Sequence, residues 1–230
     1  GHDHPDTLTS RNNLAYAYGA AGDLNRAIPL FERTLADRER ILGPNHPDTL
    51  TSRNNLAYAY RAAGDLNRAI PLFERTLADA ERILGPNHPN TLTSRNNLAG
   101  AYRAAGDLKR AIPLFERTLA DAERILGPNH PNTLTSRNNL AYAYESAGDL
   151  NRAIPLYERT LADRERILGP KHPNTLTSRN NLAGAYRAAG DLNRAIPLYE
   201  RTLADAERIL GPNHPDTLTS RNNLAYAYES

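Results

Sequence analysis

The chain of 230 residues contains no cysteine and no methionine, and only two lysines, Lys109 and Lys171. Without cysteine there is neither a disulfide nor a thiolate metal ligand, which suits a reducing, cytoplasmic setting. With no methionine even at position 1, the chain reads as a processed or excised fragment, with Gly1-His2 as a remnant of its preparation. Scarce lysine beside abundant alanine points to a GC-rich, bacterial gene. No apolar run approaches the ~18 residues that a membrane helix needs, and no signal peptide is present, so no membrane partner is expected. An excess of one charge is missing too: 28 Lys+Arg face 26 Asp+Glu, a net charge of +2. That balance provides no basic track for phosphates, so nucleic acid is not an expected partner either.

What the chain does have is a period. His4, His46, His88, His130, His172 and His214 each open the same phrase, His-Pro-(Asp/Asn)-Thr-Leu-Thr-Ser-Arg-Asn-Asn-Leu-Ala, and lie 42 residues apart. Five full units span 4–45, 46–87, 88–129, 130–171 and 172–213, and a sixth runs 17 residues to Ser230, so residues 4–230 form one repeat array. A fixed period of this length is the signature of stacked repeats, each covering its neighbour's apolar face.

Within the first unit, Leu8, Arg11, Leu14, Ala15 and Tyr18 recur at intervals of three or four, which is helical period. Gly22 can take the left-handed conformation that closes a helix, and Asp23 is a good N-cap for the next one. Leu24, Ala27, Ile28, Phe31, Leu35 and Leu42 continue the period until Gly43-Pro44 stops it. The unit is therefore helix A (roughly 6–21), a tight turn and helix B (roughly 24–42), with no segment of period two. Pro29 and its equivalents sit inside helix B, where a proline costs about 3 kcal/mol, and predict a mild kink on the solvent side.

Several constellations carry no chemistry. The periodic histidines sit on successive stacked units, too far apart to converge on one ion with ligand distances of about 2 Å, so they read as loop or cap residues. Ser10 and its equivalents stand beside arginine, with no base to activate a hydroxyl. Glu32, Asp37 and Glu39 lie among Arg33 and Arg40 and read as solvated ion pairs along the helix. Gly22-Asp23 lacks the lysine of a phosphate loop. No enzyme activity, metal or cofactor is expected.

The phrase Asn13-Leu14-Ala15-Tyr16-Ala17-Tyr18, followed by Ala21-Gly22-Asp23, Ala27-Ile28 and Phe31, resembles the tetratricopeptide repeat. Leu14, Ala15 and Tyr18 match the family's helix-A leucine, small residue and tyrosine; Ala27 and Phe31 match its helix-B alanine and aromatic. Arg11 stands where the family has an aromatic residue and Thr34 where it has a second alanine, and Asp37–Gly43 lengthens helix B. The long unit is similar to the repeats of kinesin light chains and of bacterial arrays attached to signalling ATPases. The resemblance implies an all-α solenoid of eleven helices in a right-handed superhelix. Its A helices would line a concave groove that binds an extended peptide or partner segment.

Comparison of the units locates the variation. Eight of the 42 columns differ, and three cluster on helix A. Column 16 reads Tyr16, Tyr58, Gly100, Tyr142, Gly184, Tyr226; column 19 reads Gly19, Arg61, Arg103, Glu145, Arg187, Glu229; column 20 exchanges Ala for Ser146 and Ser230. Tyrosine would bring up to about 250 Å² of aromatic surface, so a site that also accepts glycine is not packed core. Diversification of a binding surface and drift of exposed positions both explain such columns. On the binding reading, Asn13, Asn55, Asn97, Asn139, Asn181 and Asn223 hold a peptide main chain through their amides. Tyr58, Arg61, Arg103, Tyr142 and Arg187 set selectivity, the arginines favouring an acidic ligand in the first half. The Asn12 series is an alternative bridge between helices.

Neither end carries a polar cap. Leu8 at the start, and Leu218, Leu224 and Tyr228 in the final helix, form apolar ends that predict end-to-end self-association. The principal function expected is a protein-interaction scaffold; the alternative is a structural spacer or self-assembling rod, natural or engineered, with no ligand of its own.

Overall fold

The computed structural model describes residues 3–229; Gly1, His2 and Ser230, the last in column 20, lie outside the described residues. The described residues form eleven helices and no strand: α1 (Pro5–Ala20), α2 (Leu24–Leu42), α3 (Pro47–Ala62), α4 (Leu66–Leu84), α5 (Pro89–Ala104), α6 (Leu108–Leu126), α7 (Pro131–Ser146), α8 (Leu150–Leu168), α9 (Pro173–Ala188), α10 (Leu192–Leu210) and α11 (Pro215–Tyr228). Odd-numbered helices are the A helices and even-numbered ones the B helices. The described residues up to Leu114 make one compact unit, and those from Phe115 onward a second.

Local chemistry sets each boundary. Each A helix opens on a histidine whose Nδ1 accepts the backbone N–H two residues on, as in Asp6 N–H to His4 at 3.2 Å, with proline in the first turn. The periodic histidines are helix caps. The A helices end in a Schellman turn: Gly22 has φ 79°, and the Asp23 N–H bonds back to the Tyr18 carbonyl at 2.9 Å. Asp23 then caps α2 by accepting the Arg26 N–H at 3.1 Å. Gly43 stops α2 with φ 88°. Pro29 and its counterparts are exposed, as expected of a residue on the solvent side, and α2 runs unbroken through Pro29.

Packing divides column 8 from column 14. Leu8 is 1% exposed because α2 of its own hairpin covers it, whereas Leu14 is 48% exposed and its counterpart Leu56, behind a preceding hairpin, only 5%. Leu8 therefore does not belong to an apolar end, contrary to the sequence expectation; the exposed leucine of α1 is Leu14. In α11, which packs on α10 of the preceding hairpin, Leu218 is 42% exposed and Tyr228 is exposed, while Leu224 is half-buried.

The acids on helix B are not solvated pairs confined to one helix, which corrects the reading from sequence. Column 11 is a buried arginine at Arg53, Arg95, Arg137 and Arg179. Arg53, 0% exposed, donates to Asp79 of its own hairpin at 2.7 Å and to Glu39 of the preceding hairpin at 3.2 Å. In the second unit Arg137 does the same with Asp163 (2.7 Å) and Glu123 (2.9 Å). Each arginine thus ties a hairpin together and ties it to its predecessor. Glu32 accepts the Tyr60 hydroxyl of the next hairpin, and Arg68 lies over that ring at 4.1 Å from its centroid. The same arrangement, with Glu74 and Glu116 as acceptors, raises the phenols of Tyr102 and Tyr144 to about 12, through burial first and the glutamate hydrogen bond second. The helix-internal part of the expectation holds for Arg82 and Asp79, 3.0 Å apart.

Column 38 has an internal control. Arg164 donates to the Asn174 carbonyl (2.9 Å) and to Ser178 Oγ (2.7 Å), and Arg38 donates to the equivalent Asp48 carbonyl (3.0 Å) and Ser52 Oγ (2.8 Å) and reaches Thr9. The fifth hairpin has Ala206 instead, and a cleft of about 210 Å³ lies there, lined by Thr177, Asp216 and Ser220 among others. Those are the counterparts of the Arg38 partners. Ala206→Arg is expected to fill the cleft and stabilise the chain by about 1–2 kcal/mol, the range for hydrogen bonds from a charged donor less its desolvation. An unchanged or lower urea midpoint would contradict this.

Candidate functional site

Helical period turns columns 12, 13, 16 and 19 of the A helices toward one side, and the structure shows what each touches. Asn55 Nδ2 donates to Asn12 Oδ1 at 3.2 Å, and Asn97 to Asn54 at 2.9 Å; in the second unit Asn181 donates to Asn138 at 3.1 Å. At these three junctions both asparagine columns are used as a bridge between successive A helices. Asn97 is buried, and its Oδ1 also accepts the Tyr58 hydroxyl. Its amide is spent on neighbours, so Asn97 is removed from the candidate main-chain binders. Asn13 is exposed, and Asn55, Asn139, Asn181 and Asn223 are half-buried.

In the first unit a cleft of about 530 Å³ opens on this side, lined by Tyr16, Leu24, Phe31, Asn55, Tyr58 and Arg61 among others. Tyr16 is 69% exposed. Tyr58 meets Phe73 edge-on, with centroids 5.4 Å apart, and the Arg61 guanidinium lies 4.7 Å above the Tyr58 ring. Gly100 makes room for that guanidinium: a Cβ there would sit 3.1 Å from Arg61 Nη1. Column 16 is thus surface where it holds tyrosine and buried at Gly100. Burial pulls the Arg61 pKa down; the Tyr58 ring opposes this and the nearby positive charge of Arg103 adds to it. Burial raises the Tyr58 phenol, against the pull of Arg61. A partly desolvated cation facing another cation attracts negative charge.

The second unit is polar at the corresponding place. Tyr157 donates to Glu145 at 2.7 Å. The Tyr199 phenol is raised by burial, with Arg187 hydrogen-bonding and lowering it and Glu145 raising it. A Cβ on Gly184 would sit 3.4 Å from the Tyr199 hydroxyl, while Tyr142 stands 46% exposed. Columns 16, 19 and 31 are therefore one neighbourhood. Sequence reasoning passed over Tyr157 and Tyr199 because Phe-to-Tyr is a small change. The available signal was coincidence: tyrosine in column 31 appears only in the units carrying Glu145 and Arg187.

Ser52 is buried and accepts a hydrogen bond from Arg38. Among the described residues no group of three or more His, Asp or Glu side chains is placed to hold a metal ion, and no helix is long and apolar enough to cross a membrane.

The hairpin, the Schellman turn and the Leu14–Ala15–Tyr18 core face recur along the described chain, and the tetratricopeptide repeat model matches residues 6–81, 54–124, 96–166, 148–207 and 180–230. The chain belongs to the tetratricopeptide repeat family. This repeat chain is similar to a crystal structure of nearly identical TPR-like repeats from Podosopora anserina, ascribed to a kinesin light chain: 34% identity, TM-score 0.74, covering 90% of this chain and 97% of that one. BtubC (BKLC) from P. vanneervenii shares the fold at 24% identity and TM-score 0.72, over 91% of this chain and 83% of that one. So does Rap protein complexed with Competence and Sporulation Factor, at 15% identity and TM-score 0.72, over 95% of this chain and 66% of that one. No curated protein matches this tetratricopeptide repeat chain.

Proposed function

We propose that this tetratricopeptide repeat chain is a non-enzymatic scaffold whose A-helix side takes an extended segment of a partner protein. The observation that carries the reading is the cleft of about 530 Å³ in the first unit, where exposed Tyr16 and half-buried Asn55 and Arg61 converge beside an apolar floor. Aromatic surface, an amide and a cation are what side-chain and main-chain recognition of a peptide require. Arg61, with Arg103 adding to the positive potential, favours acidic segments. Tyr58 and Asn55 shape the site, and in the second unit Tyr142, Arg187 and Glu145 present a mixed-charge surface that selects a different segment. The likeness to a Rap protein solved with a bound factor agrees with this use of the fold. The scaffold acts as a soluble cytoplasmic protein with a protein partner and needs no cofactor.

The test uses fluorescent extended peptides of graded acidity and reads anisotropy. The unmodified chain should bind the acidic ones. Tyr16→Ala and Arg61→Glu should each weaken that binding at least about tenfold, the size of a typical interface anchor. Tyr16→Ala should leave the melting temperature unchanged, because the ring is exposed. Binding that ignores peptide charge and both substitutions would reject the reading.

A further inference from the structure

We propose that the cleft at Ala206, between α9, α10 and α11, binds the guanidinium group of a ligand. It rests on columns 6, 10 and 38 and stands apart from the tyrosine cleft assigned to the partner segment. The chain already holds the bound form twice. Arg38 donates to the Asp48 carbonyl (3.0 Å) and Ser52 Oγ (2.8 Å) on α3 and to Thr9 Oγ1 (3.5 Å) on α1. Arg164 repeats the two bonds on α9. None of these acceptors lies on the B helix that follows, so two A helices and the B helix between them complete the seat.

In the fifth hairpin the seat is built but column 38 is Ala206. The counterparts of all three acceptors, Thr177, Asp216 and Ser220, line the cleft of about 210 Å³. The two on α11 bond to each other instead: Ser220 Oγ donates to the Asp216 carbonyl at 3.0 Å. Such a seat stays open inside the array as well. Ser94, the counterpart of Ser52 at the Ala80 junction, is 9% exposed, whereas Ser52 and Ser178 beneath their arginines are 0% exposed. The group that alanine lacks has a definite shape. Beyond Cβ, arginine carries two carbons and a guanidinium, which are the heavy atoms of ethylguanidinium. Leu176 and Leu210 in the cleft wall suit the ethyl group, and three separate oxygens suit a planar fork of N–H donors better than one ammonium. Charge singles out this junction. Burial lowers the Arg164 pKa, so a seat of neutral oxygens imposes a desolvation cost on a cation. A tethered arginine meets that cost within folding, but a free ligand needs a compensating charge. Ala80 and Ala122 are followed in column 6 by Asn90 and Asn132, and Ala206 by Asp216. The Asp216 side chain is 72% exposed, with His214 at 3.9 Å, and so brings a negative charge to the rim of the cleft.

The test is saturation-transfer NMR of millimolar ethylguanidinium on the full chain, with its uncharged isostere ethylurea as the control. Ethylguanidinium should bind and ethylurea should not. Ala206→Arg supplies the group from within and should abolish binding; an undiminished melting temperature shows that this variant is folded. Asp216→Asn should weaken binding about tenfold, the size of one hydrogen bond to a charged group. Adding Asn90→Asp to the Ala206→Arg chain should create a new site at Ala80, inside the array. N-acetylarginine amide separates two sources of the same chemistry. Competition by it assigns the site to an arginine of a partner segment, and its failure to compete assigns the site to a free alkylguanidine. Equal binding of ethylurea, binding that survives Ala206→Arg, indifference to Asp216→Asn, or no new site with Asn90→Asp would each overturn the proposal.

Discussion

Arg137→Met is expected to destabilise the chain by about 3–5 kcal/mol, the cost of removing one partner from a buried ion network. Arg137 is fully buried and joins Asp163 and Glu123 while also donating to the Pro128 carbonyl. Methionine fills much of the space but takes from the Asp163 carboxylate, whose side chain is 20% exposed, its fully buried partner. Asp163 keeps only the exposed Arg166 at 3.0 Å. Arg221→Met is the matched comparison: its pair with Glu207 is nearly half exposed, so water substitutes for the guanidinium and the expected cost is under about 1 kcal/mol. Urea midpoints of the two variants measure the difference. Equal losses would show that the column-11 arginine acts through bulk and not through its carboxylates. Replacing Asp163 and Glu123 by apolar residues in the Arg137→Met background should recover most of the loss, since a well-packed apolar cluster commonly matches a buried ion pair.

The second large effect is with acid. Asp79, Asp163 and Asp205 are each affected first by burial, which raises the carboxyl. The hydrogen bonds and charges of two arginines outweigh it and hold the group below its ordinary 3.8. Asp37 is lowered chiefly by its hydrogen bond with Arg11. The helix caps Asp23, Asp65, Asp107, Asp149 and Asp191 are lowered by the arginine three residues on. A carboxyl whose folded pKa lies below its unfolded value contributes stability that is complete above the unfolded value and lost as pH falls toward the folded one. The melting temperature should therefore be flat from pH 7 to 5 and drop by on the order of 10 °C below pH 4. Asp163→Asn should flatten part of that drop while lowering stability at pH 7. A decline that begins near pH 6 in both chains would show that these carboxylates are not its cause.

Much of the fold is readable along the chain because its determinants are local. The 42-residue period, the leucine and alanine spacing, Gly22 where φ is positive, and Asp23 one residue before a helix all act within a few residues of themselves. The boundaries of helix B follow from Asp23 and Gly43 alone. The family follows from the same local pattern, and so does the placement of tyrosines 16, 58, 142 and 226 at the surface.

What the chain did not reveal depends on partners 14, 26, 28 and 43 residues away. Arg53 reads as a misfit in an apolar column until Asp79 and Glu39 close on it from two hairpins. Glu32 reads as a surface charge until a tyrosine of the next hairpin meets it. Asn97 reads as an available amide until Asn54 and Tyr58 consume it, and Leu8 reads as an exposed end until α2 covers it. Helical period by itself determines which residues share a face of one helix. Only stacking decides which of those faces is closed by a neighbour, because the neighbour's distance is set by packing in three dimensions and leaves no periodic trace in the single unit.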